Sequence, residues 1–225
     1  MKERLFLKVR DILHCPKCQG RLEIDRVADC LTCQSDPSHG FPIIDGIPSF
    51  LGREEISPED ARWVFGYDEE AEKYDEDVKR YDEWLGVDLR REAIKVLRGI
   101  TLKPFCRILD VSTGTGAVIF GIVEAHPEVS CEFVGVDLSI GMLRVAQRRF
   151  VNAKMEVPLF HSQVTELPFG NGSFDIITNF GGINTFIFPP PLGSGFEFLS
   201  RTGSSWWLTK GFHQPSGKQD VEPIS

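Results

Sequence analysis

The sequence predicts an α/β protein in which a parallel sheet with flanking helices follows a small cysteine-bearing module at the N-terminus. Two observations carry this prediction. From Cys106 onward, short apolar runs alternate with helical segments, which is typical of βαβ units. Four of the six cysteines form two Cys-x-x-Cys pairs near the N-terminus. With 225 residues, 41% of them hydrophobic, the chain is long enough for one full core and a satellite module.

Composition narrows the class of protein. The chain has 25 Lys and Arg against 33 Asp and Glu, a formal net charge of −8, which disfavours a general attraction to nucleic acid or anionic membrane. No run of about 18 apolar residues occurs, and charges interrupt the N-terminal apolar stretch, so we expect neither a membrane span nor a signal peptide. We therefore expect a reducing intracellular compartment, the cytoplasm, where paired cysteines more often bind metal than form disulfides.

The first cysteine pair lies in Cys-Pro-Lys-Cys-Gln-Gly, where proline and glycine favour a tight turn, and the segments up to residue 51 are typical of the strands of a zinc ribbon. Four thiolates arranged as two pairs hold one zinc ion tetrahedrally and leave no position for water, so we expect a structural zinc. The expected ligands are Cys15, Cys18, Cys30 and Cys33. His14 and His39 are alternative ligands, and a redox dithiol is the alternative function.

A charged stretch separates this module from the alternating region. Residues 53–83 are predominantly acidic, Ser57-Pro58 is typical of a helix start, and apolar residues recur at helical spacing, which predicts one or two helices. A further helix is expected over residues 89–98. The alternating region then predicts four strands and two helices, half of a doubly wound sheet: strands 106–111, 131–136, 157–161 and 174–178, and helices 117–126 and 139–150.

The first of these strands ends in Asp110 and leads into a turn containing Gly114 and Gly116. A dinucleotide fingerprint requires a third glycine where Ile119 stands, and a phosphate loop requires Gly-Lys-Ser/Thr, so both are disfavoured. Asp137 ends the next strand about 20 residues later, the place from which a carboxylate binds ribose hydroxyls. A ligand with a ribose and a primary amine but no phosphate suits both acids, and S-adenosylmethionine matches this description. The structural alternative is that both acids only cap the helices that follow.

These motifs resemble those of the class I S-adenosylmethionine-dependent methyltransferases, over roughly residues 60–187. The family's Leu-Asp-Leu-Gly-Cys-Gly-Thr-Gly corresponds to residues 109–116, with Ser112 in place of the first glycine. The resemblance implies that Asp110 holds the methionine amino end, that Asp137 binds the ribose, and that Gln163, in place of an aspartate, meets the adenine amino group. The full set that it implies for cofactor binding is Asp110, Ser112, Thr113, Gly114, Thr115, Gly116, Asp137, Leu138, Met142, Gln163, Val164 and Asn179.

The methyl acceptor stays open between an RNA base and a small molecule, because three resemblances disagree. A zinc ribbon before such a domain resembles 23S rRNA guanine methyltransferases. The Cys-Pro-x-Cys…Asp-Gly-Ile-Pro run resembles small zinc-binding activators of tRNA and rRNA methyltransferases, and the domain itself resembles the ubiquinone/menaquinone group. Asn179 is a candidate for orienting the acceptor and Phe180 for stacking on it, and no catalytic residue is assigned. The alternative function is a non-catalytic binding module on a Rossmann remnant.

Beyond about residue 185 the sequence loses any helical or strand period. Back-translation of residues 197–214 one nucleotide earlier permits a family-like Val-Leu-Lys-Pro-x-Gly and an apolar strand, so our hypothesis is a shift of reading frame near residues 185–192. The sheet would then be incomplete, with an exposed edge at strand 174–178. We expect low stability or self-association, and a form inactivated by loss of the C-terminal strands is one expectation for its activity. The coding DNA beyond codon 184 tests the hypothesis.

These expectations divide the chain into a zinc-ribbon module (1–52), an acidic helical linker or lid (53–100), a Rossmann-like core (101–187) and an irregular tail (188–225).

Overall fold

The chain forms two four-stranded sheets, an antiparallel one near the N-terminus and a parallel one in the second half. This architecture comes from a computed structural model. The structure describes residues 2–51, 58–86, 88, 91, 94, 95 and 97–179. The expected tail, Phe180 and the helix-start residue Ser57 lie outside the described residues.

The N-terminal module consists of one helix and four short antiparallel strands in the spatial order β1-β2-β3-β4. Their bounds are α1 (Lys2–Val9), β1 (Leu22–Asp25), β2 (Cys30–Cys33), β3 (Gly40–Ile44) and β4 (Ile47–Pro48). Asp45 and Gly46 connect β3 to β4 with φ angles of 51° and 90°. Two positive φ angles in a two-residue loop match the twist of a hairpin, which explains why Asp-Gly stands there.

Two helices cross the acidic stretch, as its spacing predicts: α2 (Pro58–Glu70) and α3 (Tyr74–Leu85). Gly86 ends α3 in the left-handed conformation, with φ at 66°, and its N–H donates to the carbonyl groups of Asp82 and Glu83. Of the helix expected over residues 89–98, the described residues 91, 94, 95 and 97 are helical.

The parallel sheet has the spatial order β7-β6-β5-β8. Its elements are β5 (Arg107–Val111), α4 (Ala117–Ala125), β6 (Glu132–Asp137), α5 (Ile140–Asn152), β7 (Leu159–His161), a 3₁₀ turn (Val164–Glu166) and β8 (Ile176–Asn179). All fall within a few residues of the predicted positions. Because the chain passes from β7 to the far side of β5, the strand order reverses at β5, and in open α/β sheets ligands bind at such a switch point.

The two faces of the parallel sheet are covered by different parts of the chain. Side chains alternate between faces along a strand. On β5, Ile108 packs in a cluster with Ile122 of α4, whereas Leu109 and Val111 belong to a cluster that includes Leu31 of the N-terminal module. Helices therefore cover one face of the sheet, and the N-terminal module covers the other.

Backbone hydrogen bonds also join the module to the parallel sheet. Leu13 bridges Phe169 in antiparallel fashion, through His14 N–H to the Pro168 carbonyl (3.0 Å) and Gly170 N–H to the Ile12 carbonyl (2.9 Å). At the opposite edge, Ser49 forms a parallel bridge with His161, and the Phe50 N–H donates to the His161 carbonyl at 2.8 Å. The expected boundary at residue 52 stays a prediction, and the hydrophobic core is continuous across it.

Candidate cofactor site and cysteine–histidine cluster

The glycine turn after β5 is held in left-handed backbone conformations. Ser112, Gly114 and Gly116 have φ angles of 56°, 53° and 85°. A Cβ atom on Gly116 would lie 2.5 Å from the ring of Phe150, so glycine is required there for space as well as for conformation. Ser112 adopts the same region with a side chain, which is unfavourable for a residue other than glycine.

Asp110 lies at the end of β5, with its side chain fully buried. One carboxylate oxygen accepts a hydrogen bond from the Thr113 hydroxyl and the other from the Thr178 hydroxyl, both at 2.7 Å. Burial raises the pKa of Asp110 to about 7, with a smaller contribution from the charge of Asp137, against the lowering effect of the two hydroxyls. A cation placed beside this carboxyl would favour its ionised form.

Asp137, at the end of β6, connects the glycine turn to the turn that begins α5. Its carboxylate accepts from the Gly114 N–H at 2.7 Å and from the Ser139 N–H at 2.9 Å. Burial raises the pKa of Asp137. The Leu138 N–H also bonds to this carboxylate. Since each carboxylate oxygen has two acceptor sites, three amide bonds leave capacity for a ligand hydroxyl.

The remaining residues implied for cofactor binding lie at the same edge of the sheet. Leu138 follows Asp137, and the buried Met142 lies in the first turn of α5, which the Ser139 hydroxyl caps. Gln163 precedes the 3₁₀ turn that contains Val164. Asn179 is buried at the end of β8, in register with Val111. The structure thus gathers the predicted set at the carboxyl ends of the four strands, while the role of each residue stays a prediction.

The acidic helices contribute contacts that the sequence reasoning did not find. Asp68 of α2 accepts hydrogen bonds from the Ser139 hydroxyl (2.5 Å) and the Gly141 N–H (2.7 Å). Asp75 of α3 accepts from the Thr115 hydroxyl at 2.7 Å, and its other oxygen pairs with Arg149 at 2.7 Å. Two acidic side chains therefore fasten α2 and α3 over the glycine turn and the turn after β6.

A tyrosine precedes each of these acids, and both tyrosine rings lie over the same region. The rings of Tyr67 and Tyr74 meet edge to face, with centroids 6.0 Å apart. Burial raises the pKa of Tyr74 to about 12, and the negative charge of Asp137 adds to the shift in both tyrosines. The signal in the sequence is the Tyr-Asp pair repeated every seven residues, at 67–68, 74–75 and 81–82. Only the folding of α2 and α3 against the sheet brings the first two pairs to the same side of the glycine turn.

A second group of side chains lies in the N-terminal module. The ligand atoms of Cys15, Cys18, Cys33 and His39 all lie within 4.8 Å of one another. The Cys18 and Cys33 sulfurs are 3.4 Å apart, and His39 Nδ1 is 3.5 Å from the Cys15 sulfur. The other ring nitrogen of His39, Nε2, is 3.5 Å from the Asp36 carboxylate.

This group differs from the expected ligand set, because it contains His39 and not Cys30, and the ligand set itself stays a prediction. The first cysteine pair forms the expected turn, closed by the Gln19 N–H bond to the Cys15 carbonyl at 2.8 Å. The second pair instead forms strand β2, in which residues three apart point to opposite faces. Cys33 therefore faces the group and Cys30 faces away from it.

Comparison with known proteins adds the decisive observation for the second half of the chain. A family model described as "Methyltransferase domain" matches residues 108–197. A demethylmenaquinone methyltransferase from Thermus thermophilus is 33% identical over 119 residues, which is 52% of this chain and 53% of the relative.

Residues 108–197 therefore match the methyltransferase domain family, and in this region the chain is similar to methyltransferases. Its methyltransferase domain also superposes on a SAM-dependent methyltransferase from Aquifex aeolicus, with a TM-score of 0.45 and 19% identity, over 56% of this chain and 66% of that one. The chain spans between 34% and 53% of the length of the first methyltransferase relatives that it matches.

A different relative matches a short part of this chain. A UPF0434 protein from Shewanella oneidensis is 50% identical over 44 residues, which is 20% of this chain and 73% of the relative. Over that segment the chain belongs to the UPF0434 family. Among the residues that the structure describes, no helix has the length and apolar character that a membrane span requires.

Proposed function

We propose that this chain binds S-adenosylmethionine at the carboxyl edge of the parallel sheet and transfers its methyl group to an acceptor. The observation that carries the proposal is the glycine turn held between the buried carboxyl of Asp110 and the partly buried carboxylate of Asp137, with the Gly114 N–H bonded to Asp137. The match of residues 108–197 to the methyltransferase domain family supports the cofactor. S-adenosylmethionine supplies a methyl group on a sulfonium, and an enzyme accelerates its transfer mainly by proximity and orientation.

The chain's own residues would orient the two ends of the cofactor. Asp110 carries the carboxyl group for the methionine amino end, and its Thr113 and Thr178 partners fix the orientation of that carboxyl. Asp137 accepts from the ribose, while its amide partners keep the glycine turn in place. Tyr67 and Tyr74 of the lid exclude water from the same region, which favours transfer over side reactions.

We further propose that the acceptor is a small molecule rather than RNA. The lid of α2 and α3 carries acidic side chains next to the site, and an RNA backbone would be repelled by them. The methyltransferase relatives with known acceptors bear the names of demethylmenaquinone and ubiquinone/menaquinone methyltransferases, which supports a small aromatic acceptor. Asn179, buried at the end of β8, is the described residue proposed to orient it.

The N-terminal group is proposed to hold a zinc ion. Tetrahedral zinc with bonds of about 2.0–2.3 Å places its ligand atoms roughly 3.3–3.8 Å apart. The separations of 3.4 Å and 3.5 Å within the group suit this arrangement. Asp36 beside the second nitrogen of His39 is the carboxylate partner that zinc-binding histidines commonly have. Cys15, Cys18, Cys33 and His39 would fill all four positions, so the zinc is structural.

Isothermal titration with S-adenosylhomocysteine tests the main proposal. We expect saturable binding to the full chain and binding at least about tenfold weaker in Asp137→Ala, because this substitution removes a charged acceptor. Asp29→Ala, in an exposed turn of the N-terminal module, is the control and keeps the affinity. If the unaltered chain shows no saturable heat, the proposal is wrong and a non-catalytic binding module is favoured.

A further inference from the structure

His161 occupies the junction between the N-terminal module and the turn proposed to bind the cofactor's adenosine. It is the last residue of β7 and lies in register with Asp137, the last residue of β6. One ring nitrogen, Nδ1, is 2.9 Å from the Ser49 hydroxyl of the N-terminal module. The other, Nε2, is 3.0 Å from the carbonyl oxygen of Leu138. The imidazole thus bridges two segments 112 and 23 residues away in sequence.

The partners of the ring determine where its proton lies. A backbone carbonyl only accepts, so Nε2 must carry the proton and donate it to Leu138. Nδ1 then accepts from the Ser49 hydroxyl, which is itself buried, with an exposed fraction of 3%. Burial lowers the pKa of His161, which favours this neutral form. Since both nitrogens are engaged, the ring is not available as a general base.

The backbone around His161 is held without the help of the ring. The Phe50 N–H donates to the His161 carbonyl, and the Ser162 N–H donates to the Asp137 carbonyl at 3.1 Å. These bonds fix the strands, whereas the turn at Leu138 receives its bond on this side from the imidazole. The position of the Leu138 carbonyl, and with it the adenosine side of the proposed site, therefore depends on where Ser49 places the ring.

We infer that His161 is a positioning residue that links the N-terminal module to cofactor affinity. It holds the Leu138 carbonyl, and with it the turn after β6, in the conformation that binds the adenosine. The inference rests on the proposed binding of S-adenosylmethionine. Through this Ser49–His161–Leu138 chain of hydrogen bonds, the N-terminal module affects cofactor affinity, although it supplies none of the expected cofactor contacts.

Two isosteric variants separate the two ends of the ring. In His161→Gln the amide nitrogen takes the place of Nε2 and keeps a donor for Leu138. In His161→Asn the shorter amide takes the place of Nδ1, keeps the contact with Ser49 and does not reach Leu138. Both variants break the chain of hydrogen bonds, so we expect both to weaken the binding of S-adenosylhomocysteine. The loss should be about fivefold in His161→Asn, the value of one neutral hydrogen bond to Leu138, and about two- to threefold in His161→Gln, whose donor is kept but is no longer positioned by Ser49.

His126 provides a matched control, because its Nε2 lies 2.8 Å from the Leu97 carbonyl at a distance from the cofactor edge. His126→Asn should lower the melting temperature and leave the dissociation constant unchanged. The readouts are dissociation constants by calorimetry, melting temperature and zinc content for each variant.

The outcomes separate the inference from the function on which it rests. If the unaltered chain does not bind S-adenosylhomocysteine, the proposed function and the inference both fail. If it binds, and His161→Gln keeps the full affinity or neither variant loses affinity, only the inference is overturned. Loss of affinity in both variants, larger in His161→Asn and with zinc content intact, supports it.

Discussion

At the scale of single residues, the left-handed serine in the glycine turn has an effect that can be measured. Ser112 has a φ of 56°, where a residue with a Cβ costs about 1–2 kcal/mol, while glycine loses about 0.5–1 kcal/mol through the unfolded state. We expect Ser112→Gly to raise the free energy of unfolding by up to about 1 kcal/mol and the melting temperature by about 2–4 °C.

Gly116→Ala is a control that should change stability in the opposite direction. Gly116 has a φ of 85°, and the 2.5 Å approach of the Phe150 ring leaves no room for a methyl group. We therefore expect this variant to lower the free energy of unfolding by about 2 kcal/mol or more. Thermal and urea unfolding measure both variants. A Ser112→Gly variant that is less stable than the unaltered chain would show that the serine side chain contributes contacts that outweigh its backbone cost.

The raised pKa of Asp110 predicts a pH dependence of cofactor binding. With a pKa of about 7, the carboxyl is largely protonated at about pH 6 and ionised at about pH 8. An ammonium group binds the ionised form, so binding below the pKa must release a proton, and affinity falls as the pH falls. We expect S-adenosylhomocysteine to bind several-fold more weakly at about pH 6 than at about pH 8.

Two comparisons locate this effect at Asp110. The pH dependence should disappear in Asp110→Asn, and it should be absent for 5′-methylthioadenosine, which lacks the amino acid part of the cofactor. Calorimetry at both pH values measures all four combinations. An equal pH dependence for both ligands would assign the titration to a group other than Asp110.

At the scale of elements, the acidic helices α2 and α3 are predicted to act as a cover over the cofactor site. Asp68 and Asp75 accept hydrogen bonds from the two turns that flank it. Neutralising both, in Asp68→Asn/Asp75→Asn, should increase the dissociation rate of S-adenosylhomocysteine about tenfold and speed proteolysis within residues 58–86. Stopped-flow measurements and limited digestion provide the two readouts.

Asp77→Asn is the control on the same helix, because Asp77 pairs with the exposed Arg80 of α3 itself. It should leave both rates unchanged. If the double variant releases the ligand at the rate of the unaltered chain, the two acids hold the helices without affecting the ligand.

Sequence patterns could predict those elements whose formation depends on the local alternation of short apolar runs with helical segments. The apolar runs around Ile108, Val134 and Ile177 gave the parallel strands, and the Asp110 and Asp137 strand ends followed from them. His39 could not be preferred over Cys30 as the fourth proposed ligand, because the Cys-x-x-Cys spacing of the second pair is compatible with a turn or a strand. Pairing of β2 with both β1 and β3 decides between them, and this pairing is a tertiary property. The contacts of Asp68 and Asp75 likewise depend on where α2 and α3 lie.

At the scale of the whole molecule, the shared core predicts that zinc binding and the stability of the methyltransferase domain are coupled. Cys15 and Cys33 are buried in the same cluster as Leu109 and Val134 of the parallel sheet. Loss of the metal would place uncompensated thiolates or voids against that sheet. We expect a chelator to lower the melting temperature of the whole described fold in one calorimetric transition and to abolish binding of S-adenosylhomocysteine.

Substitutions at the two candidate fourth ligands distinguish the proposed metal site with His39 from the expected four-thiolate site. His39→Ala should lose the zinc and show the low melting temperature of the chelated protein, whereas Cys30→Ser should retain about one zinc per chain. Metal analysis and calorimetry check both variants. Loss of zinc in Cys30→Ser would restore the four-thiolate set, and two independent transitions, with only one sensitive to chelator, would contradict the coupling.

The antiparallel bridge between Leu13 and Phe169 has a consequence for how such proteins can be recombined. A Cβ atom on Gly170 would lie 2.7 Å from the imidazole of His14, so these two distant positions constrain each other sterically. A chimera that receives its N-terminal module from one relative and its sheet from another must therefore transfer both sides of this contact together. The contact surface between the N-terminal module and the parallel sheet, rather than the linker between them, therefore determines which module exchanges produce a folded protein.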